Sequence, residues 1–366
     1  MAATASNPFT PTFGKVPFAL AGRTNYIGDV IGGLANQPGN PYRSVIFYGP
    51  RGSGKTVLME SIAREASGMG WICVDSIARE GMLNELYCLL RSKARHLIDT
   101  GKPYDVVSLQ AGPIAISREM HHYDEPWRLQ IGSMVESLNA LGVGVLFCID
   151  EADPECEEFQ EFIGIYQAFV REDREVALLI GGLPGKVSSL LVNENISFIR
   201  RAFQRPLRPI ADIDVEQALL TTIEGNGRGI DSDALSFCAE ATGGYAYAIQ
   251  VVGYYLWRDA PKNRNFNTKD AEHAVQMMLR EMERSVFVPT LLDLRQREED
   301  YLRAMAEDEG RSSTSEVAKR MGISMTNASN LRRRLIEQGV ITEVRMGTVD
   351  FDIPLLKDYL RSKLER

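Results

Sequence analysis

Hydrophobic and polar positions follow two rhythms along this chain, and the rhythm changes near residue 211. Before it, short apolar, β-branched runs at 44–48, 71–75, 143–149 and 175–180 alternate with stretches of helical spacing at 57–65, 82–98, 127–141 and 157–171. Uninterrupted apolar runs predict strands buried on both faces, so this half reads as α/β with a parallel sheet. A helical pattern at 24–34 leads into it, and 106–108 with 114–117 read as an inserted hairpin. After residue 211 the spacing is helical at 214–223, 231–241, 245–257 and 268–284, broken at Gly225-Asn226-Gly227 and at 261–265.

The tail has its own pattern. A helix over 295–305 precedes Ser313-Thr314-Ser315-Glu316, which fits a capping box opening a second helix. Gly322 supplies a turn, Ser324 caps a third helix, and Ala328, Leu331 and Leu335 form its buried stripe. Strands at 341–345 and 348–353, joined around Met346-Gly347, complete a winged helix-turn-helix. The expected division is a loosely held arm over 1–15, an α/β core over 16–210, a helical lid over 211–288 and a winged helix over 289–366.

Chemistry concentrates at the first strand's end, where Gly49-Pro50-Arg51-Gly52-Ser53-Gly54-Lys55-Thr56 fits G-x-x-x-x-G-K-[ST]. The strand before it and the helix opening at Val57 are the context in which such a loop cradles phosphate. Glycines let successive amides turn inward into an anion nest. Lys55 brings a point charge to the β- and γ-phosphates of ATP or ADP, and the Thr56 hydroxyl is a ligand for Mg²⁺. The run 143–149 ends in Asp150-Glu151, placing Asp150 to hold Mg²⁺ and Glu151 to polarise the attacking water. Arg23, opening the first helical pattern, is a candidate for the adenine pocket, helix packing being the alternative. The fourth strand ends in Gly181-Gly182-Leu183-Pro184, so it offers no Asn, Thr or Ser to sense the γ-phosphate.

Two arginine groups remain open to two readings. Arg200 and Arg201 suit an arginine supplied to a neighbouring subunit's nucleotide in a self-associated form, or a solvated basic face. On the third helix of the tail, Thr326, Ser329, Asn330 and Arg333 lie opposite the buried stripe and are candidates for base edges in DNA. Arg332 and Arg334 flank them as candidate phosphate contacts, although such a domain also suits a protein partner.

The chain's 366 residues suit two or three domains, and 44% hydrophobic with 25% charged residues is a globular composition. A net charge of −8 and a pI near 5.3 confine any nucleic-acid contact to a local patch. The five cysteines never fall in C-x-x-C spacing and read as reduced, mostly buried residues; the adjacent His121 and His122 read as surface residues. No apolar run approaches membrane length and residues 1–7 lack a signal pattern, so a cytoplasmic location is expected.

Taken together, the phosphate loop, the Asp-Glu strand end, the helical lid with Gly243-Gly244-Tyr245 and the winged helix resemble the archaeal-type STAND ATPases. These are similar in turn to the AAA+ ATPases of origin-recognition initiators, and the resemblance runs from Phe18 to Leu364. It implies a P-loop NTPase fold, ATP and Mg²⁺ binding, slow hydrolysis, and use of the nucleotide to set the angle between core, lid and winged helix. The missing polar sensor, and Ala246 where relatives often carry Pro, depart from that pattern.

Overall fold

The computed structural model describes residues 6–12, 14–98, 126–260 and 265–364; the hairpin expected within 106–117, and His121 and His122, lie outside the described residues. Helix α1 (Thr24–Ala35) leads through a single 3-10 turn, capped by the Asn40 side chain, into β1 (Ser44–Tyr48). There follow α2 (Lys55–Gly68), β2 (Ile72–Ile77), α3 (Met82–Ala94), α4 (Trp127–Asn139), β3 (Val145–Asp150), α5 (Glu157–Arg171), β4 (Val176–Gly182), α6 (Pro184–Val192) and β5 (Phe203–Pro206). The five strands run parallel in the order β2-β3-β4-β1-β5. The helix expected over 82–98 stops at Ala94, four residues early.

Strand periodicity of two divides the core between the sheet's faces. Val45, Phe47, Leu146, Cys148 and Leu179 pack with α1 and α2 through Ile27, Val30, Leu58 and Ile62. Ile46, Val145, Phe147, Leu178 and Ile180 face the α3, α4 and α5 side, against Leu86, Val135, Phe162 and Tyr166. Both faces are covered, which is why the sequence shows continuous apolar runs rather than alternation. Because β4 lies between β1 and β3, the carboxyl ends of all three strands meet at one edge, where open α/β sheets bind ligands.

The lid comprises α7 (Asp212–Gly225), α8 (Ser232–Ala241), α9 (Ala246–Asp259) and α10 (Thr268–Met282). A π-helical turn at Glu283–Phe287 and α11 (Val288–Leu292) carry the path into α12 (Gln296–Ala306), β6 (Ser312–Ser313), α13 (Thr314–Met321), α14 (Met325–Glu337), β7 (Ile341–Arg345), β8 (Thr348–Phe351) and α15 (Leu356–Leu364). The wing is a three-stranded antiparallel sheet, β6-β8-β7, and β6 had no signal in the sequence because it is two residues long. At the second helix of the tail the start is as expected but the cap is not: Ser313 offers α13 no side-chain cap and its hydroxyl pairs with that of Ser315 at 2.8 Å. Ser324 does cap α14, accepting from the Asn327 amide.

Two contacts reshape the expected division. The arm is not loose over its described residues: Phe9 is 2% exposed, against the spot where a Cβ on Gly253 would fall, and Asn7 and Thr10 hydrogen-bond to Tyr254 and Gln250. Burying that ring contributes about 2 kcal/mol, which explains why a polar-rich arm stays down. The winged helix is also docked on the core: a Cβ on Gly185, in the first turn of α6, would collide with the backbone of Glu337 at the end of α14. Gly339 sits beside the Leu183 side chain, within 3.2 Å of where its own Cβ would be.

Candidate nucleotide site

The phosphate loop closes on backbone geometry before any side chain acts. Gly52 and Gly54 hold φ of +74° and +91°, conformations that side chains oppose. Gly49 is required for a different reason: a Cβ there would lie 2.9 Å from Ser53 Oγ and 3.0 Å from the Leu207 carbonyl oxygen. The Gly49 amide donates to Gly182 at 3.3 Å, tying the loop to the end of β4. Lys55 opens α2 and its Nζ donates to the Gly49 and Pro50 carbonyls, both at 2.8 Å. Burial pushes the Lys55 ammonium down to about 8, against the opposing pull of Asp150, Asp352 and Glu151. Ser53 Oγ is buried and without a hydrogen-bond partner, a polar atom suited to a ligand in the loop.

Beside the loop, the Thr56 hydroxyl donates to Asp150 Oδ2, so two hard oxygen donors from α2 and β3 already touch. A Cβ on Gly181 would collide with Asp150 Oδ1, and its absence leaves room for that carboxylate. This donor set fits Mg²⁺, which takes oxygen ligands and keeps several waters. Asp150 Oδ1 accepts from the Glu151 amide at 2.8 Å, and Glu151 turns the chain off the strand with φ +50°, leaving it exposed at the crevice. A non-glycine residue in that region is held by its surroundings, here at a position expected to do chemistry. The next strand end is as the sequence indicated: Gly181, Gly182 and Leu183 present no polar sensor.

Beside the loop lies a cleft bordered by Arg23, Pro50, Leu207, Tyr245, Asp352 and Pro354. Arg23 is buried, donates to the Arg208 carbonyl at 2.8 Å, and sits 5.8 Å from the Tyr26 ring centre; burial lowers its basicity. Val57 is half-buried in the first turn of α2. The lid touches the loop itself, because the Tyr245 hydroxyl donates to the Arg51 carbonyl, the Tyr247 amide donates to Gly52 at 3.3 Å, and a Cβ on Gly52 would strike the Tyr245 ring. The expected approach of Gly243-Gly244-Tyr245 to the nucleotide site is therefore met by a tyrosine.

Two acidic residues at this site carried no sequence signal, and the tyrosine of the Gly243-Gly244-Tyr245 segment reaches it from the lid. Asp352 arrives from the end of the wing, and Asp293 from beyond α11, where it pairs with Arg51 at 3.7 Å. Burial pushes Asp352 up to about 6, with Lys55 opposing. Each lies some two hundred or more positions from the loop, and no spacing rule links them.

The arginine groups fare unevenly. Arg200 Nε and its terminal nitrogen donate to the Leu191 and Val192 carbonyls at 2.5 and 3.3 Å, closing the end of α6 within its own chain. Arg200 and Arg201 are both exposed. On α14, Thr326, Asn330, Arg333 and Arg334 are exposed and Ser329 is half-buried. Arg332 instead meets Glu343 of the wing at 3.1 Å, Arg334 lies 3.8 Å from the buried Glu298, and Arg333 lies 3.8 Å from Glu337. Arg332 is 22% exposed and its pair with Glu343 ties the wing to α14. No helix among the described residues is long and apolar enough to cross a membrane, and none of their acidic, His and Cys side chains form a further metal cluster.

The comparisons agree with this geometry. A family model described as a domain of unknown function (DUF8462) matches residues 284–360, the winged-helix part. No curated protein matches the chain. Among solved structures, a Walker-type ATPase of Pyrococcus abyssi aligns with TM-score 0.67 at 17% identity, over 93% of this chain and 96% of that one. The ORC2 protein of Aeropyrum pernix, in its ADPNP-ADP complexes, aligns with TM-score 0.58 at 14% identity over 97% and 98%. Cdc6p of Pyrobaculum aerophilum gives 0.50 at 15% over the same shares. With its five-stranded parallel sheet, phosphate loop, helical unit and C-terminal domain in one order, this chain shares the fold of these archaeal P-loop ATPase structures.

Proposed function

We propose that this protein is a Mg²⁺-dependent, ATP-binding and slowly hydrolysing switch whose nucleotide state governs DNA binding by its winged helix. The observation that carries the reading is the joined triad of the Gly52/Gly54 nest, Lys55 at the start of α2, and Thr56 hydrogen-bonded to Asp150. Amides of the loop and the positive end of α2 bind the phosphates, and Lys55 exchanges the Gly49 and Pro50 carbonyls for phosphate oxygens. Thr56 and Asp150 would hold Mg²⁺, which would supply charge neutralisation to the bound phosphates. Glu151 accepts a proton from the attacking water, and Arg23 and Leu207 border the base. Because the end of β4 lacks a polar sensor, hydrolysis is slow and the bound state long-lived.

Duplex DNA is read by Thr326, Asn330 and Arg333, which remain exposed at the helix-turn-helix surface. A second reading, a switch that docks a protein, is favoured by Met325, half exposed at the start of α14, and Met346, 96% exposed at the wing tip. The deciding measurement is duplex binding with ATP, with ADP and without nucleotide, across a salt series. Affinity that depends on both nucleotide and salt supports the DNA switch; none in any state leaves the protein-docking switch.

A further inference from the structure

Between β3 and α5 the chain turns a corner on which Glu151 stands exposed at φ +50°, a conformation that a non-glycine residue keeps only where its surroundings fix it. On one side the Glu151 amide donates to Asp150 Oδ1 at 2.8 Å. On the other, the Ala152 amide donates to the Gly181 carbonyl at 2.8 Å, and Asp153 Oδ1 accepts from the Glu155 amide at 3.1 Å and from Lys186 Nζ at 2.8 Å. The corner is thus tied to β4 by backbone and to α6 by one lysine.

Lys186 stands in the first turn of α6, which begins where β4 ends in the Gly181-Gly182-Leu183 stretch that offers no Asn, Thr or Ser. That turn is pressed against the corner, since a Cβ on Gly182 would lie 2.8 Å from Val187 Cγ2 and 3.4 Å from Ala152 Cβ. Burial pushes the Asp153 carboxyl up, but the hydrogen bonds from Lys186 and the Glu155 amide outweigh it and hold the carboxyl below its ordinary range. The pair is therefore charged at neutral pH. With its side chains 42% and 36% exposed it adds little to stability, so its consequence lies in geometry.

We propose that Lys186 is a positioning residue for hydrolysis: through Asp153 it fixes the corner of residues 150–153 and so holds the Glu151 carboxylate at the crevice beside Asp150. The inference rests on the ATPase reading and deepens it by assigning what orients the residue that accepts the water's proton. Lys186 acts on the water only through Asp153 and Glu151, so its loss slows turnover and spares ATP binding.

The test measures ATP affinity by calorimetric titration and hydrolysis by single-turnover phosphate release in the full chain, K186M, D153N, K186R, and E151Q with and without K186M; thermal melting confirms that each is folded. K186M and D153N are each expected to lower the rate by roughly 10-fold, inside the 100-fold that a misplaced group can cost, with ATP affinity within about twofold. K186R should keep most of the rate. In E151Q, adding K186M should lower the rate no further, because residues that act as a unit do not add. Unchanged rates in K186M and D153N overturn the inference and leave a solvated ion pair. A K186M effect that persists in full in E151Q, or ATP affinity lost in K186M alone, overturns it too, since Lys186 then acts without Glu151. Failure of the wild type to bind ATP, or turnover that survives in both K55A and E151Q, overturns the ATPase reading instead.

Discussion

The phosphate loop and helix α14 are both short, cation-bearing stretches, and both meet carboxylates from elsewhere in the chain, yet they are built from different groups. At the loop, Asp293 lies 3.7 Å from Arg51 and Asp352 borders the adjoining cleft, but the anion site also consists of amides fixed by Gly52 and Gly54. Backbone donors are held in place by the conformation of the loop itself and not by the side chains that pack beside it. On α14 the three arginines have only side chains to offer, and Glu343, Glu298 and Glu337 stand against them. A site built from backbone is legible and robust, whereas a row of charged side chains acquires its meaning from whatever packs beside it.

Substitutions can break that contrast, beginning with the largest effect. Glu151→Gln should leave ATP affinity within about twofold while lowering turnover by roughly 100-fold or more, because the group that accepts the water's proton is gone; single-turnover phosphate release checks this. Lys55→Ala should weaken ATP binding by on the order of 10- to 100-fold, the value of a charge-assisted hydrogen bond, read by calorimetric titration. If it binds as tightly as wild type, the amide nest alone suffices and the contrast is sharper still.

At the other site, Arg333→Ala should lower duplex affinity several-fold and reduce the salt slope by about 1, whereas Arg332→Ala should barely change the slope. Its effect should appear instead in thermal melting, as up to ~1 kcal/mol lost from the wing, the usual range for a partly exposed ion pair. A matching loss of salt slope in both variants would mean that Arg332 leaves Glu343 for phosphate.

The smallest effect concerns acid stability. Asp352 is pushed up to about 6 from an ordinary 3.8, so between those values the folded chain holds a proton that the unfolded chain releases. Protonation therefore stabilises the fold, fully below pH 3.8, and the advantage fades as pH rises through 6. Relative to Asp352→Asn, the wild type should lose on the order of 1–2 kcal/mol across that window once solvent screening is allowed for, measured by urea unfolding at several pH values.

The sequence by itself determined what local geometry dictates. It marked the phosphate loop and the Asp150-Glu151 strand end, because an anion nest and a doubly buried strand each demand particular residues in immediate succession. It marked the turn at Gly322 and the cap at Ser324 for the same reason, since φ of +63° and an exposed helix end are satisfied within a few residues. It also read the arm as loose, where one ring, Phe9, finds a slot opened by Gly253 in α9. Only the tertiary structure decided that the Tyr245 hydroxyl reaches the Arg51 carbonyl, that Asp293 stands against Arg51 and Asp352 borders the cleft, that Arg200 closes α6, and that Arg332 pairs with the wing. Those are encounters between surfaces far apart in the chain, fixed by how lid, core and winged helix pack, and such pairings leave no periodic trace along the sequence.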